Sequence, residues 1–330
     1  MAGAFISEID VKEFRGIKRC KEPIKLSKFN VLIGKNNSGK SSLLEALYLF
    51  PLPRLHSTIY GGDSDRINQI GERHSGTDSL VYGYSGNAEM KCNVNEYPFT
   101  VEIMSNGTSN SSVNDEEVAI SNLQHVSKIL KISERNIEDI SIYIPNDTKT
   151  LDRYAEYVSS LENEIVKSGA NKRVAEFVNQ CIDEKYTEVL WTREGLSCRK
   201  ERPDGSPLYI KLDDLGDGIK RATIIMLLLE AHSPRVVLWD DFESASHPTL
   251  IRAQLEWLSK KDWQVVLATH SIDVLYQLLE LEISPADIQI LQMKKLKDDT
   301  LIHESLAIDE LEDLMNANAD PRLLVGALGI

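Results

Sequence analysis

The stretch FNVLIGKNNSGKSSLLEALY, residues 29–48, decides the fold of this chain. It contains the fixed residues of the P-loop pattern G-x-x-x-x-G-K-S, which are Gly34, Gly39, Lys40 and Ser41. The apolar run FNVLI predicts a buried strand before the loop, and leucines at helical spacing predict a helix after it. Glycines let backbone N–H groups point inward, and a helix N-terminus carries partial positive charge. We therefore predict a phosphate site at this loop.

The side chains of the loop have separate expected roles. Lys40 would reach the β- and γ-phosphates, and the Ser41 hydroxyl would ligate Mg²⁺. A chance Gly/Ser turn is the alternative, but four fixed positions match by luck in only about one chain in a hundred of this length. The expected nucleotide-binding residues are Gly34, Lys35, Asn36, Asn37, Ser38, Gly39, Lys40, Ser41 and Ser42.

Length and charge limit the possible functions. The chain has 330 residues, which suits one large domain or two modest ones. Its 37 basic and 51 acidic residues give a net charge of −14. A uniformly acidic surface repels nucleic acid and anionic membranes. DNA binding is therefore possible only through a local basic patch, a dimer groove or a partner protein, and the net charge does not support it.

Neither a metal framework nor a membrane segment is indicated. The four cysteines, at positions 20, 92, 181 and 198, form no C-x-x-C pair, so we expect no zinc site and no disulfide framework. The N-terminal residues do not have the pattern of a signal peptide. The longest apolar run, ATIIMLLLEA, is too short to span a bilayer. These features predict a cytoplasmic protein that has no membrane partner.

The order of predicted elements divides the chain into a core and an insertion. Residues 5–55 have the pattern strand, strand, P-loop, helix, and after residue 205 helices alternate with apolar strands, which is typical of a parallel sheet. Between them, residues 79–104 alternate as antiparallel strands do, and residues 117–185 have mainly helical spacing. We predict an α/β fold with a nucleotide-binding core at 1–58 and 205–330. An α+β lobe of β-hairpins and helices is inserted at 59–204.

A second motif supplies acidic groups. The stretch RVVLWDDFESASHP, residues 235–248, is an apolar strand that ends in Asp240 and Asp241, a Walker B arrangement. A P-loop enzyme needs an acid for Mg²⁺ and a group that acts on the attacking water. Asp240 is the candidate for Mg²⁺, and Asp241 is the candidate for water. An acidic strand end without a catalytic role is the alternative.

Two further segments contain candidate nucleotide-binding residues. In QVVLATHSIDVL, residues 264–275, His270 follows the next predicted strand, so it is expected beside the P-loop, where open α/β sheets bind ligands. In LDDLGDGIKRATIIMLLLEA, residues 212–231, a glycine-containing turn precedes a helix. That turn is either a simple helix start or a second anion site.

The order of these motifs resembles a known superfamily. GKNNSGKS, LGDGIKR, VVLWDD and ATHS follow one another as in the ABC-type ATPases of the SMC/RecF/OLD group, often labelled AAA-type ATP-binding proteins. The opening IDVKEFRGIKRC is similar to the FRG/FKS strand typical of this group. The resemblance covers residues 1–55 and 205–330 and does not include the middle of the chain.

The resemblance implies a composite site. Two ATP molecules would be held in a head-to-tail homodimer, with the turn of one protomer closing on the nucleotide of the other. Arg15 would lie near the nucleotide, His270 would be the switch histidine, and Glu243–His247 would link the two sites. The residues implied to contact the γ-phosphate in trans are Gly216, Asp217 and Gly218.

The chain also departs from the group. Asp241 stands where the group usually has Glu, and the shorter side chain predicts slow hydrolysis because a displacement of roughly 1.5 Å can cost about 100-fold in rate. Gly216 stands where transporter ATPases have Ser. Gln69 is only a weak candidate for the Q-loop glutamine. OLD proteins carry a C-terminal TOPRIM nuclease domain, and no such domain is expected within this sequence.

The sequence therefore predicts an ATPase with ATP and Mg²⁺ as ligands. It would dimerise on ATP and drive a partner or a nucleic-acid transaction of the repair or defence type, and a nuclease is a candidate partner protein. A non-hydrolysing ATP-gated scaffold is the alternative from another class. A transporter nucleotide-binding subunit is a further alternative, against which stand the FRGIK opening and the long insertion.

Overall fold

The strand in front of the P-loop lies in the middle of a mixed sheet. In this computed structural model, which describes residues 4–57, 59, 64–133 and 137–323, β4 (Phe29–Ile33) is buried at every position. It pairs in parallel with β14 (Gln264–Ala268) on one side and β15 (Ile288–Lys295) on the other. Continuous apolar runs suit parallel strands that are covered on both faces. The α/β class predicted from the sequence is confirmed.

The sheet extends in both directions from this centre. Next to β14 lies β13 (Val236–Trp239), followed by the edge strand β9 (Ser141–Ile144), and both are parallel to their neighbours. On the other side of β15 the order is β16 (Thr300–Leu306), β2 (Ile17–Cys20), β1 (Ile6–Phe14), β5 (Asn87–Val94), β6 (Tyr97–Met104), β7 (Ser109–Val113) and β8 (Glu116–Glu117), and β3 (Ile24–Lys25) pairs with β1. The described residues thus place 13 strands in one sheet.

Helices cover the parallel part of the sheet, and the first of them begins at the P-loop. The helices are α1 (Lys40–Leu49), α2 (Arg66–Arg73), α3 (Leu123–Leu130), α4 (Thr148–Ser160), α5 (Glu162–Ser168), α6 (Ala170–Val178), α7 (Asp217–His232), α8 (Pro248–Ser259), α9 (Ile272–Leu279) and α10 (Ile308–Asn316). Helix α1 contacts β1, β9, β13 and β14, which explains why most of its residues are buried. This packing fixes the helix N-terminus at the end of β4.

The middle of the chain is joined to the core more closely than its sequence indicates. Strand β9 lies inside the segment 59–204 and yet extends the parallel sheet, and β5 pairs with β1 of the core. Helices α4, α5 and α6 pack on α7. A separate three-stranded sheet consists of β10 (Glu188–Thr192), β11 (Gly195–Glu201) and β12 (Pro207–Lys211), and β12 lies beyond residue 204. The expected boundary at residue 58 lies outside the described residues.

Part of the segment predicted to be mainly helical, residues 117–185, is divided between two helices. Helix α4 ends at Ser160, and Leu161, with φ −98° and ψ 14°, separates it from α5. Tyr154, Val158 and Ile165 are nevertheless all buried. The spacing of apolar residues therefore identified the buried face correctly, although it did not show where the backbone bends.

Candidate functional site

The P-loop is closed around its lysine. Lys40, which is 4% exposed, donates hydrogen bonds from Nζ to the carbonyl oxygens of Gly34 (3.0 Å) and Lys35 (3.2 Å). Burial lowers the pKa of Lys40 to about 8, although the carboxylates of Asp240 and Asp241 oppose this effect. The ammonium group thus sits where a phosphate oxygen could replace the two carbonyls as its partner.

The remaining loop residues present backbone and hydroxyl groups to the same place. Lys35, Asn36 and Asn37 are exposed, and Ser38 is buried with no hydrogen-bond partner for its hydroxyl in the described chain. Gly39 caps α1, so Ser41 and Ser42 stand in its first turn, where free N–H groups attract anions. The structure brings all nine predicted loop residues together.

Gly34 has a steric reason for being glycine. Its φ is 146°, and a Cβ built there would lie 2.3 Å from the carbonyl oxygen of Met293. That oxygen belongs to β15, which pairs with β4. A larger residue would separate the two strands or displace the loop. Strand β15 therefore helps to determine the shape of the phosphate site.

Asp240 follows β13 and is 9% exposed. The Tyr143 hydroxyl lies 3.4 Å from Asp240 Oδ2, and the Ser41 hydroxyl also hydrogen-bonds to the carboxylate. Burial raises the pKa of Asp240, and within the described ranges no Lys, Arg or His nitrogen lies within 4 Å of its carboxylate. A buried carboxylate beside a hydroxyl, with no cationic partner, is a donor set that fits Mg²⁺.

Asp241 lies between an amide and an imidazole. Its Oδ2 accepts a hydrogen bond from Asn146 Nδ2 (3.3 Å), and its Oδ1 lies 4.0 Å from His270 Nε2. Asn146 Oδ1 in turn accepts a hydrogen bond from the Ser244 hydroxyl (2.7 Å). Asp241 has φ 43°, a left-handed conformation in which Asp is better tolerated than most residues. The side chains of Asp241, Asn146 and His270 form one edge of the site.

The backbone of His270 is held from two directions. Its N–H donates to Glu243 Oε1 (2.8 Å), while the Thr269 hydroxyl donates to Glu243 Oε2 (2.7 Å). Its carbonyl oxygen accepts a hydrogen bond from Arg322 Nη1 (2.6 Å). Burial and the charge of Lys40 lower the pKa of the imidazole, so the neutral form is favoured. Glu243 thus fixes the histidine within its own chain.

Two further groups of predicted residues contact the elements around the site. The Arg15 guanidinium forms an ion pair with the buried carboxylate of Glu45, one turn of α1 beyond Ser41, and Glu45 also contacts His74 Nε2 at 3.0 Å. Gly216 caps α7 and Asp217 begins it, and both are exposed. Gly218 packs against the segment after β13, because a Cβ there would lie 2.2 Å from the Ala245 carbonyl oxygen.

Known families match these same segments. A family model described as "AAA domain, putative AbiEii toxin, Type IV TA system" matches residues 109–275, half of the chain. The chain belongs to this AAA-domain family. A second model, described as an AAA ATPase domain, matches residues 5–56, which include the P-loop. The ATPase superfamily predicted from the sequence is confirmed.

Solved structures show the same fold as this AAA-domain chain. An SMC head bound to the C-winged helix domain of ScpA has a TM-score of 0.65 at 15% identity and covers 93% of this chain and 99% of that one. The SMC head domain from Thermotoga maritima has a TM-score of 0.52 at 13% identity, with 91% and 98% covered. The predicted ABC-type core is therefore confirmed at the level of the fold.

Two curated proteins are similar to parts of the AAA-domain chain. The Septu protein PtuA of Bacillus mycoides (strain KBAB4) is 25% identical over 273 residues, which are 74% of this chain and 35% of that protein. An uncharacterized protein of Methanocaldococcus jannaschii is 51% identical over 45 residues, 14% of this chain and 20% of that protein. The chain spans about a third or less of the length of these relatives.

The sequence suggested Gln69 as a weak candidate for the site and did not suggest Asn146. Gln69 lies on α2 with its amide buried, where it accepts a hydrogen bond from the Tyr48 hydroxyl and donates one to the Ser64 carbonyl oxygen. The side-chain amide that reaches Asp241 belongs to Asn146 instead, because β9 is the neighbour of β13. Only the prediction of β9 as a core strand could have identified Asn146.

Across the described residues, no helix has the length and the apolar character that are needed to cross a bilayer.

Proposed function

We propose that this chain binds ATP with Mg²⁺ and hydrolyses it slowly. The observation that supports this most strongly is the convergence of Lys40, Asp240–Asp241 and His270 at the carboxyl ends of three neighbouring parallel strands, β4, β13 and β14. Lys40 and the first turn of α1 would hold the β- and γ-phosphates, with Ser38 available as a further donor. Ser41 and Asp240 would hold Mg²⁺, which supplies charge neutralisation at the phosphates.

Asp241 is the group that would act on water. Water attacks the γ-phosphorus, the bond between that phosphorus and the bridging oxygen of ADP breaks, and the water proton passes to the Asp241 carboxylate or to phosphate. Asn146 would orient Asp241, and His270 would contact the γ-phosphate. The neutral imidazole suits this role, because it can donate one hydrogen bond and accept another.

The proposal includes a head-to-tail homodimer. The N-terminus of α7, at Gly216–Gly218, is the candidate for a second anion site, because the helix dipole places partial positive charge there. In the proposed dimer it would contact the γ-phosphate that the partner holds. Arg15 would act from the side of the nucleotide, through Glu45 and the first turns of α1.

The proposed setting is a partner or nucleic-acid transaction of the repair or defence type. The description of the family model names a type IV TA system, and one relative is a Septu protein. The SMC head in one similar structure is bound to a domain of ScpA. These descriptions support a partner protein for this chain. We propose a nuclease as one candidate for that partner.

One observation favours a second function, that of a scaffold which binds ATP without hydrolysing it. The Asp241 carboxylate lies 4.0 Å from His270 Nε2, and its side chain is 42% exposed, so it is not held tightly against the position of an attacking water. A chain that binds ATP without hydrolysing it would act as an ATP-gated scaffold.

Steady-state hydrolysis and light scattering test the proposal together. We expect wild-type protein with Mg²⁺ to release phosphate faster than Lys40→Ala, and to dimerise with ATP but not with ADP. Lys40→Ala should remain monomeric because it lacks the phosphate contact. Dimerisation without hydrolysis above the Lys40→Ala background would favour the scaffold, and a monomer under all conditions would refute the composite site.

A further inference from the structure

A small pocket lies at the edge of the large sheet opposite the P-loop, where the parallel strands begin. Its volume is about 200 Å³. Lys28 and Arg235, which precede β4 and β13, line it together with Trp263, which precedes β14. The middle of the chain contributes Asn95, between β5 and β6, and Lys131, the C-cap of α3. We call this feature the strand-start pocket.

Positive charge predominates in the strand-start pocket, although the whole chain carries a net charge of −14. Lys28, Lys131 and Arg235 line the pocket with one acidic residue, Asp262, so the charged side chains sum to +2 at neutral pH. Three like charges around one small pocket repel one another, and a bound anion would relieve this repulsion. The charge of the pocket therefore indicates an anionic ligand.

The acidic residue of the pocket does not neutralise these cations. Asp262 Oδ1 lies 4.0 Å from Lys28 Nζ, which is longer than a hydrogen bond, and the Asp262 side chain is 77% exposed. Lys131 and Arg235 are exposed, and in the part of the chain that the structure describes neither of them forms an ion pair. Two cations of the strand-start pocket are thus without a counter-charge.

Buried hydrogen bonds hold the walls of the strand-start pocket in place. Gln264, which lines the pocket and is buried, accepts a hydrogen bond from the Ile6 N–H (2.8 Å) and donates one to the Ile6 carbonyl oxygen (2.7 Å). Asn95 Nδ2 donates to the Leu130 carbonyl oxygen (3.0 Å), which joins the turn after β5 to the end of α3. A ligand would therefore enter a pocket whose backbone is already ordered, which lowers the entropic cost of binding.

We propose that the strand-start pocket binds a phosphoryl group, as free phosphate or as the end of a small phosphomonoester. A phosphoryl group carries a charge of about −1.5 to −2 and three acceptor oxygens, which matches the charge of the pocket. The Arg235 guanidinium can donate two parallel hydrogen bonds to these oxygens, and the Lys28 and Lys131 ammonium groups can donate to the remaining lone pairs. The inference is independent of the proposed ATP site, because the two share no residue.

The volume of the pocket limits what the phosphoryl group can carry. Pockets that enclose drug-sized ligands have about 300–1,000 Å³, so about 200 Å³ does not enclose a whole nucleotide. Phe5 and Trp263 also line the pocket and offer apolar surface to a short carbon chain. A carboxylate ligand is less suitable than a phosphoryl group, because its single charge leaves part of the positive charge uncompensated.

Removal of the two unpaired charges provides the test. The pocket variant, K131Q/R235Q, loses both charges and keeps long polar side chains. The control, K172Q/R193Q, removes one lysine and one arginine that are exposed and lie outside the pocket. Both are made in a Lys40→Ala parent, so that the P-loop contributes little to phosphate binding. Thermal unfolding without ligand checks that each protein is folded, and R235Q alone replaces the pocket variant if the pair does not fold.

Isothermal titration calorimetry at constant ionic strength compares inorganic phosphate, methyl phosphate and acetate. We expect the parent and the control to bind one phosphate or methyl phosphate per chain, and the pocket variant to bind it at least about tenfold more weakly. The tighter of these two probes identifies the source of the phosphoryl group. Unchanged affinity in the pocket variant would overturn the inference, as would a parent that binds no phosphate or binds acetate equally well. None of these results bears on ATP binding at the P-loop.

Discussion

At the scale of single residues, the reach of one carboxylate sets the expected rate. The Asp241 backbone is in a left-handed conformation, and the carboxylate already contacts Asn146. We predict that Asp241→Glu raises kcat by roughly tenfold or more with little change in KM, since one more methylene brings the carboxylate about 1.5 Å closer to the water. The same change should cost on the order of 1 kcal/mol of stability, because Glu tolerates positive φ less well than Asp.

Phosphate release and thermal unfolding measure the two effects separately. Asp241→Asn is the matched control, because it keeps the length and the backbone preference of Asp but loses the charge, and it should fall to the Lys40→Ala background. An Asp241→Glu protein that is no faster than wild type would show that the length of this side chain does not limit the reaction.

The residues around His270 show what a sequence pattern reveals and what it leaves hidden. His270 was predictable because it follows an apolar strand, and strand ends in parallel sheets meet at one edge. The residue that holds its backbone was not predictable, because Arg322, which donates a hydrogen bond to the His270 carbonyl oxygen, lies 52 positions later in the chain. Glu45 is in the same situation, since only the packing of β1 against α1 brings Arg15 to it.

At the scale of elements, the start of α7 depends on one glycine. A Cβ on Gly218 would lie 2.2 Å from the Ala245 carbonyl oxygen, whereas a Cβ on Gly216 meets nothing within 4 Å. We predict that Gly218→Ala lowers the free energy of unfolding by about 1–3 kcal/mol, because the helix or the segment after β13 must move. Gly216→Ala removes only an N-cap preference and should cost less, about 0.5–1 kcal/mol.

Urea unfolding of the two variants provides the comparison. Helix propensity favours Ala at residue 218, which lies in the first turn of α7, so a loss of stability there would have to come from the close contact. Equal stability of the two proteins would mean that the turn and the segment after β13 are free to move apart.

Strand β9 is the element that the sequence analysis missed. Its residues SIYI stand within a stretch of mainly helical spacing, and four apolar residues do not distinguish a buried strand from part of a helix. Its partner β13 begins some 95 positions later, at Val236. The P-loop, by contrast, was predictable because strand, loop and helix are consecutive. Local order was therefore visible in the sequence, and pairing between distant segments was not.

At the scale of the whole molecule, the continuous sheet joins the middle of the chain to the nucleotide site. Asn146 follows β9 and contacts Asp241, so a ligand at Asp241 acts on both segments. We predict that ATP with Mg²⁺ slows amide exchange in β9 and in β13 together. The bound ligand stabilises the folded state by about 2.7 kcal/mol at 100 times its Kd, and units that open together share this gain.

Hydrogen exchange followed by mass spectrometry can resolve the two strands as separate peptides. The three-stranded sheet of β10, β11 and β12 serves as the internal control, because it lies outside the large sheet. Lys40→Ala should show no slowing in any of these peptides. If β13 gained protection while β9 kept the exchange rate of the control sheet, residues 59–204 would open as a separate lobe. Nucleotide binding would then not stabilise β9, and the hydrogen bond between Asn146 and Asp241 would not couple the two segments.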